Sequence, residues 1–264
     1  MTSVIDLKNV TKAYYTTRKK NEARVVLDDV SLEINDCEFV CLVGPSGCGK
    51  TTILNMIAGF EGPTAGEVNF NGSRITSPSP ERGVVFQEYS LFPWMSVIDN
   101  INFALECKGV PEKERDGISM DVLRTVGLEG VAAQRPNLLS GGMKQRVAIA
   151  RLLAIDPDVM LMDEPFSNLD EQTRKKLDED LLRIWEQKKK TIVFVTHNIP
   201  EAILLADRIL LFTPSPGRLI REWNLNRNGP RDTESEDMIR LRREIADAML
   251  PCNCTRGFVK IEVK

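Results

Sequence analysis

Gly44-Pro45-Ser46-Gly47-Cys48-Gly49-Lys50-Thr51 is the stretch whose reading decides the fold. It follows the apolar run Phe39-Val40-Cys41-Leu42-Val43 and leads into a helical pattern over Lys50–Ala58. A strand, a glycine-rich turn and a helix opening on Lys-Thr form a phosphate cradle. Glycines let consecutive backbone N–H groups converge on phosphate oxygens without Cβ clashes. The helix that starts near Gly49 points its positive end at the same anion. Lys50 supplies a mobile charge for β- and γ-phosphates, and the Thr51 hydroxyl is suited to ligate Mg²⁺. Pro45, Ser46 and Cys48 complete the cradle. Cys48 reads first as a small filler. A helix N-terminus and Lys50 also favour its thiolate, so thiol reagents are expected to inactivate the protein and bound nucleotide to protect it.

Outward from the cradle, Val159–Met162 and Ile192–Val195 are further short apolar runs of the kind buried on both faces of a parallel sheet. Helical patterns lie between them. Met143–Ala154 opens after Ser-Gly-Gly, and Arg174–Gln187 places Leu177, Leu181, Ile184 and Trp185 on one face. Strands alternating with helices give an α/β class with a mostly parallel sheet. The opening differs: Ile5, Leu7 and Val10, then Leu32, Ile34 and Phe39, read as short strands of a small antiparallel sheet. Arg18–Glu22 reads as a charged, solvated hairpin or loop. Between about Phe86 and Pro157 the strand signal vanishes, which predicts an inserted helical lobe. Residues 1–214 are expected to form one domain, with its helical part at about 87–157 and an extension over 215–264. In that extension Met238–Leu250 is amphipathic and reads as a helix. Cys252-Asn253-Cys254 lacks nearby Cys or His partners, so it falls short of a structural zinc site and reads as free thiols.

Composition narrows the function. A chain of 264 residues needs no staples to fold. Lys+Arg 35 against Asp+Glu 38 leaves a net charge of −3, too mild to argue for nucleic acid. No apolar run approaches the ~20 residues that span a bilayer. The longest, Ile203 to Phe212, is broken by Asp207 and Arg208. The start MTSVIDLKNV shows no charged n-region or long apolar h-region of a secretory signal. Six scattered cysteines are no disulfide framework, which favours a reducing cytosol. A single histidine excludes any mechanism needing two imidazoles.

Two further features carry chemistry. Val159-Met160-Leu161-Met162 ends in Asp163-Glu164. Adjacent strand residues point to opposite faces, so the acids are expected to divide their labour. Asp163 would hold Mg²⁺ through water, and Glu164 would orient and polarise the attacking water. His197 closes the run Thr191–Thr196, at the strand end where open α/β sheets bind ligands. There it could donate a hydrogen bond to a γ-phosphate or a leaving phosphate.

With these residues on the page, the chain resembles the ATP-binding subunits of ABC transporters over about residues 4–213. Gly44–Thr51 looks like the Walker A motif, from which Thr52 is carried over as nucleotide-binding. Gln87, in Val84-Val85-Phe86-Gln87-Glu88, looks like the Q-loop glutamine, a metal and catalytic position. Leu139-Ser140-Gly141-Gly142-Met143 looks like the signature, Asp163-Glu164 like the end of Walker B, Ser167-Asn168-Leu169-Asp170 like the D-loop, and His197 like the switch histidine. Tyr14 is placed to stack on adenine, with Tyr15 the alternative. The resemblance implies ATP and Mg²⁺ as cofactors and a P-loop NTPase core. It also implies a pair of subunits, identical or sister chains, that sandwich nucleotide head-to-tail. Ser140 is a natural N-cap for the helix that follows, with a hydroxyl left to donate. Gly141 and Gly142 let backbone amides approach a partner's γ-phosphate. Met143 stands where the family carries glutamine, and Asn168 where it more often carries alanine.

Glu88-Tyr89-Ser90-Leu91-Phe92-Pro93-Trp94-Met95 puts three aromatics in one polar-flanked loop. They read either as core of the helical lobe or as a groove for a short helix of a membrane subunit. The stretch from Leu91 to Asn100 is similar to importer ATPases of the nitrate, sulfonate, taurine and bicarbonate group. That implies transmembrane permease partners, an extracytoplasmic solute-binding protein in the same system, and a place on the cytoplasmic face of the membrane. The rival readings are a soluble ABC ATPase of translation or DNA repair and a non-catalytic nucleotide-binding regulator. The first wants two cassettes or a long coiled coil, which the chain lacks. Glu164 and His197 argue against the second.

Overall fold

The computed structural model describes residues 3–15, 23–225, 231 and 235–249. The charged stretch at 18–22 and the Cys252/Cys254 pair lie outside them. The chain divides into two compact units, one within Met1–Pro78 and Val193–Lys264, the other Ser79–Ile192.

The first unit opens with β1 (Ser3–Tyr15) and β2 (Ala23–Asn35), which are antiparallel, with Leu7 opposite Leu32 and Ile5 opposite Ile34. Each is one long bulged strand where the sequence predicts a short one, and Phe39 belongs to the next strand. Register shifts between Leu7 and Val10 and again before Lys12 move the buried series from Ile5 and Leu7 to Val10 and Ala13. Asn9 (φ 47°) and Asp29 (φ 53°) sit in the left-handed region there, as bulged strands demand. β3 (Phe39–Val43) is buried at every position. α1 (Lys50–Ala58) ends at Gly59, whose φ of 84° a side chain would resist. β4 (Ala65–Phe70) pairs antiparallel with β1, and β5 (Ser73–Arg74) pairs with β4, completing a four-stranded antiparallel sheet.

The second unit begins with β6 (Arg82–Val85) and is dominated by helices α2 (Val97–Cys107), α3 (Glu112–Thr125) and α4 (Gly141–Ile155). Ser96 and Asp99 start α2 with a reciprocal capping box. Val97, Ile101 and Leu105 of α2, Leu123 of α3, and Val147 and Ala150 of α4 close a common core. Removing one such leucine side chain costs about 2–5 kcal/mol. β7 (Val159–Asp163) runs parallel to β6. α5 (Glu171–Lys188) buries the predicted face of Leu177, Leu181, Ile184 and Trp185.

β8 (Thr191–Thr196) leads the chain back into the first unit. α6 (Ile199–Leu205) follows, then β9 (Arg208–Phe212), parallel to β3, and β10 (Leu219–Asn224), antiparallel to β9. The charges inside the apolar run 203–212 therefore mark a helix-to-strand junction. Asp207 accepts the Phe39 N–H at 3.0 Å, and Arg208 pairs with Glu38. Beyond residue 214 the described residues stay in this unit. β10 extends the sheet, and α7 (Glu236–Met249) is tied to it by Glu244, which accepts from Trp223 at 3.1 Å and pairs with Arg221. Among the described residues no helix is long and apolar enough to cross a membrane.

Candidate functional site: a phosphate cradle and a capped glycine turn

In the first unit β3 delivers the chain into the cradle. A Cβ on Gly44 would stand 2.9 Å from the Cys48 Sγ and 3.0 Å from the Phe212 carbonyl oxygen. Gly49, at φ 98°, would meet Leu27 at 2.5 Å. Glycine is thus demanded by packing as well as by dihedral. α1 begins with no side-chain cap and no acid in its first turn. A helix start of that kind favours an anion at its positive end. Ser46, Gly47 and Thr51 are exposed, Pro45 and Thr52 half-buried, and Cys48 and Lys50 buried. The Lys50 ammonium donates to the carbonyls of Gly44 (2.7 Å) and Pro45 (3.1 Å).

Cys48 corrects an expectation. Burial pushes its thiol up, and the nearby Lys50 ammonium only partly offsets this. Desolvation outweighs the lysine, so burial disfavours the thiolate expected from the sequence.

His197 is exposed at the end of β8, in a turn braced on both sides. The Thr196 hydroxyl donates to Glu201 and accepts the Asn198 N–H at 2.9 Å. The Asn198 side chain accepts from the Glu201 N–H and caps α6. Tyr14 is partly exposed, and its phenol donates to the Glu61 carboxylate. Burial above all raises that phenol; a hydrogen bond with Thr52 opposes the shift, and Glu61 adds to it. Tyr15 is the more exposed of the two tyrosines.

In the second unit Asp163 is the last residue of β7. Glu164 leaves the strand at φ 44°, so a left-handed turn, not strand alternation, separates the two acids. The Glu164 carbonyl accepts from the Ser167 N–H (3.2 Å) and hydroxyl (3.0 Å). Arg174 donates to Phe166 O (3.3 Å) and Leu169 O (2.9 Å), fixing the same turn from α5. Asp170 caps α5 by accepting the Thr173 N–H at 3.0 Å, the chief reason its carboxyl lies below its ordinary range. Gln87 is exposed, and its carbonyl receives the Asn168 amide at 3.5 Å.

Ser140 is exposed and caps α4, accepting the Met143 N–H at 3.3 Å. Its own O–H remains to donate. Gly141 and Gly142 have a packing reason of their own. A Cβ on Gly142 would meet Thr173 at 2.7 Å, and one on Gly141 would meet the Tyr89 hydroxyl at 2.9 Å. Met143 packs against the helical core. In the aromatic loop Phe92 lies 5.6 Å from Trp94 and 5.0 Å from Phe103 by ring centroids. Trp94 is 67% exposed, which excludes it from the core. Buried Asn100 holds this loop, accepting the Phe92 N–H (2.8 Å) and donating to Ser96 O (2.8 Å).

The sequence alone assigns no role to Lys12, Glu61, Arg174 or Gly217. The only local signal was the turn Gly59-Phe60-Glu61-Gly62-Pro63, which closes α1. Among the described residues no group of three or more His, Cys, Asp or Glu could hold a metal alone.

A parallel strand, a glycine cradle and uncapped helix amides beside a lysine define a P-loop nucleoside triphosphatase. The family model described as ABC transporter matches residues 27–167. A taurine import ATP-binding protein of Roseobacter denitrificans is 49% identical over 75% of this chain and 74% of its own length. A nitrate import ATP-binding protein of Synechocystis is 44% identical over 85% of each. The dimeric structure of an ATP-binding cassette bound to ADP and Pi superposes with a TM-score of 0.73 at 34% identity, over 84% of this chain and 99% of that one. The chain belongs to the ABC transporter family, as one of its ATPases.

Proposed function

We propose that this chain hydrolyses ATP to power an importer of a small anion such as taurine, a sulfonate or nitrate. It would do so as one of two paired cassettes at the cytoplasmic face of a membrane, beneath transmembrane permease subunits supplied by an extracytoplasmic solute-binding protein. The observation that carries the reading is the exposed Ser140 hydroxyl at the start of α4. A capped glycine turn at a helix start suits an anion, and the same chain also carries a cradle. Two copies arranged head-to-tail give each cradle a second set of donors.

The residues fit the chemistry. Lys50, Gly44–Gly49 and Thr52 bind phosphates through amides and charge, and Tyr14 stacks on the base. Thr51, Gln87 and Asp163 offer a hydroxyl, an amide oxygen and one carboxylate. Each is a hard oxygen of the kind Mg²⁺ takes, and the ion usually arrives with substrate phosphates and not in an all-protein cage. When bound, the ion neutralises charge on the β- and γ-phosphates. Glu164 would accept a hydrogen bond from the attacking water and so orient and polarise it, and His197 would donate a hydrogen bond to the departing phosphoryl oxygens. Trp94 and Phe92 take a short helix of the permease.

The test is ATP turnover by the chain alone and after reconstitution with its permease and solute-binding protein in vesicles. Turnover that rises with solute and solute-loaded binding protein, with ATP-driven uptake, is the expected result. Turnover that ignores the permease overturns the coupling.

A further inference from the structure

The geometry points to Glu61 as a positioning residue for base binding, with Lys12 as its counter-ion. This inference rests on the reading of Tyr14 as the base platform and adds to it the device that holds the ring.

The turn after α1 is bonded to the end of β1 at both backbone and side-chain level. The Thr64 N–H donates to Thr11 O at 2.8 Å, and its hydroxyl accepts the Ala13 N–H at 3.0 Å. Tyr14 follows immediately. Its phenol donates to Glu61, with both carboxylate oxygens in reach at 2.8 and 2.7 Å. Lys12 pairs with Glu61 at 2.9 Å and donates to Gly62 O at 2.7 Å. The Lys12 ammonium also lies over the Tyr14 ring, 5.0 Å from its centroid. The side chains of Lys12 and Glu61 are 13% and 21% exposed, so this is a packed pair and not two solvated charges.

The physical consequence is pre-organisation. An exposed tyrosine with two free torsions loses rotamer freedom when a base stacks on it. Here the carboxylate fixes the phenol end, and the strand–turn bonds fix the backbone. Lys12 lies over one ring face, and Tyr14 remains 42% exposed. It also neutralises Glu61, so no bare negative charge stands beside a polyanionic ligand. Because Glu61 belongs to the turn that closes α1, the base platform is tied to the helix whose opposite end forms the cradle.

The experiment compares full-length wild type with Tyr14→Ala, Tyr14→Phe, Glu61→Ala and Glu61→Gln. Binding of ATP and of inorganic tripolyphosphate, which has no base, is measured by calorimetry, and KM and kcat by turnover. Tyr14→Phe and Glu61→Ala are expected to weaken ATP binding about two- to tenfold, the range for leaving one side chain to be ordered on binding. Glu61→Ala raises KM with kcat unchanged, Glu61→Gln recovers most of the loss because its amide oxygen still accepts, and tripolyphosphate binding is unaltered throughout. If Tyr14→Ala weakens ATP binding while Tyr14→Phe and Glu61→Ala do not, the positioning role is overturned and the platform stands. ATP binding unmoved by Tyr14→Ala removes the platform and the inference with it. Equal losses for ATP and tripolyphosphate in Glu61→Ala would mean damage to α1, which also overturns it.

Discussion

Gly217 lies flat against Cys48: a Cβ on the glycine would stand 1.9 Å from the Cys48 carbonyl oxygen. The contact is backbone on backbone, so neither side has a rotamer with which to yield. Gly217 is held there by its N–H to Val26 O (2.7 Å) and by the Asp28 N–H to its own carbonyl (3.1 Å). Gly217→Ala is expected to destabilise the fold by about 1–3 kcal/mol, as overpacking does, and to weaken ATP binding by displacing the cradle. Thermal unfolding and calorimetry check this. An unchanged midpoint would show that the turn gives way without cost.

Cys48 should alkylate slowly. Its thiol is buried and its pKa raised, whereas Cys37 and Cys107 are exposed. A raised pKa leaves less thiolate at neutral pH, so the Cys48 rate should climb as pH rises. Peptide mapping after brief iodoacetamide treatment reads the order of modification. Cys48 labelling ahead of Cys107 at neutral pH would contradict the burial argument.

Lys50→Ala is expected to weaken ATP binding and hydrolysis together, since the variant loses the cradle's mobile cation. It also leaves the Gly44 and Pro45 carbonyls without that donor. Full activity would remove the cradle assignment.

Glu164→Gln should keep ATP binding, stop turnover and accumulate an ATP-bound dimer, detected by light scattering. The amide preserves side-chain shape, and the left-handed turn at φ 44° is held by Ser167. Normal turnover would exclude Glu164 as the group that polarises water.

Asn100→Ala leaves the Phe92 N–H without its side-chain acceptor, while the Ser96 carbonyl keeps the backbone N–H of residue 100 at 3.0 Å. Loss of one such partner costs about 1–3 kcal/mol. Denaturant unfolding measures that loss. The looser Phe92–Trp94 loop should lower permease-stimulated turnover more than the basal rate of the isolated chain, and equal losses would separate the loop from coupling.

Local chemistry was legible in the sequence where it needed only neighbours in the chain. Phe39–Val43 and Val159–Met162 announce buried strands by apolar runs, and Ser140 announces α4 by capping. β9 stayed hidden because α6 and β9 share one apolar stretch, and only Asp207 and Arg208 mark the joint. β6, at four residues with a buried Arg82 in front, is too short to show a period. β1 and β2 looked fragmented because their bulges break the alternation that strand reading depends on. The acids of 163–164 were recognised, but their separation was assigned to strand alternation; the left-handed Glu164 is a backbone fact with no composition cue. Glu61 and Gly217 act on residues far away in the chain, Tyr14 and Cys48, and nothing within a few positions of either reveals the match.

The cap on α4 is complete within a single chain, because Ser140 already accepts the Met143 amide. A second copy docking at that turn in the proposed pair would thus meet a cap that does not wait on it to form, and capture would depend less on ordering this segment than on orientation and diffusion.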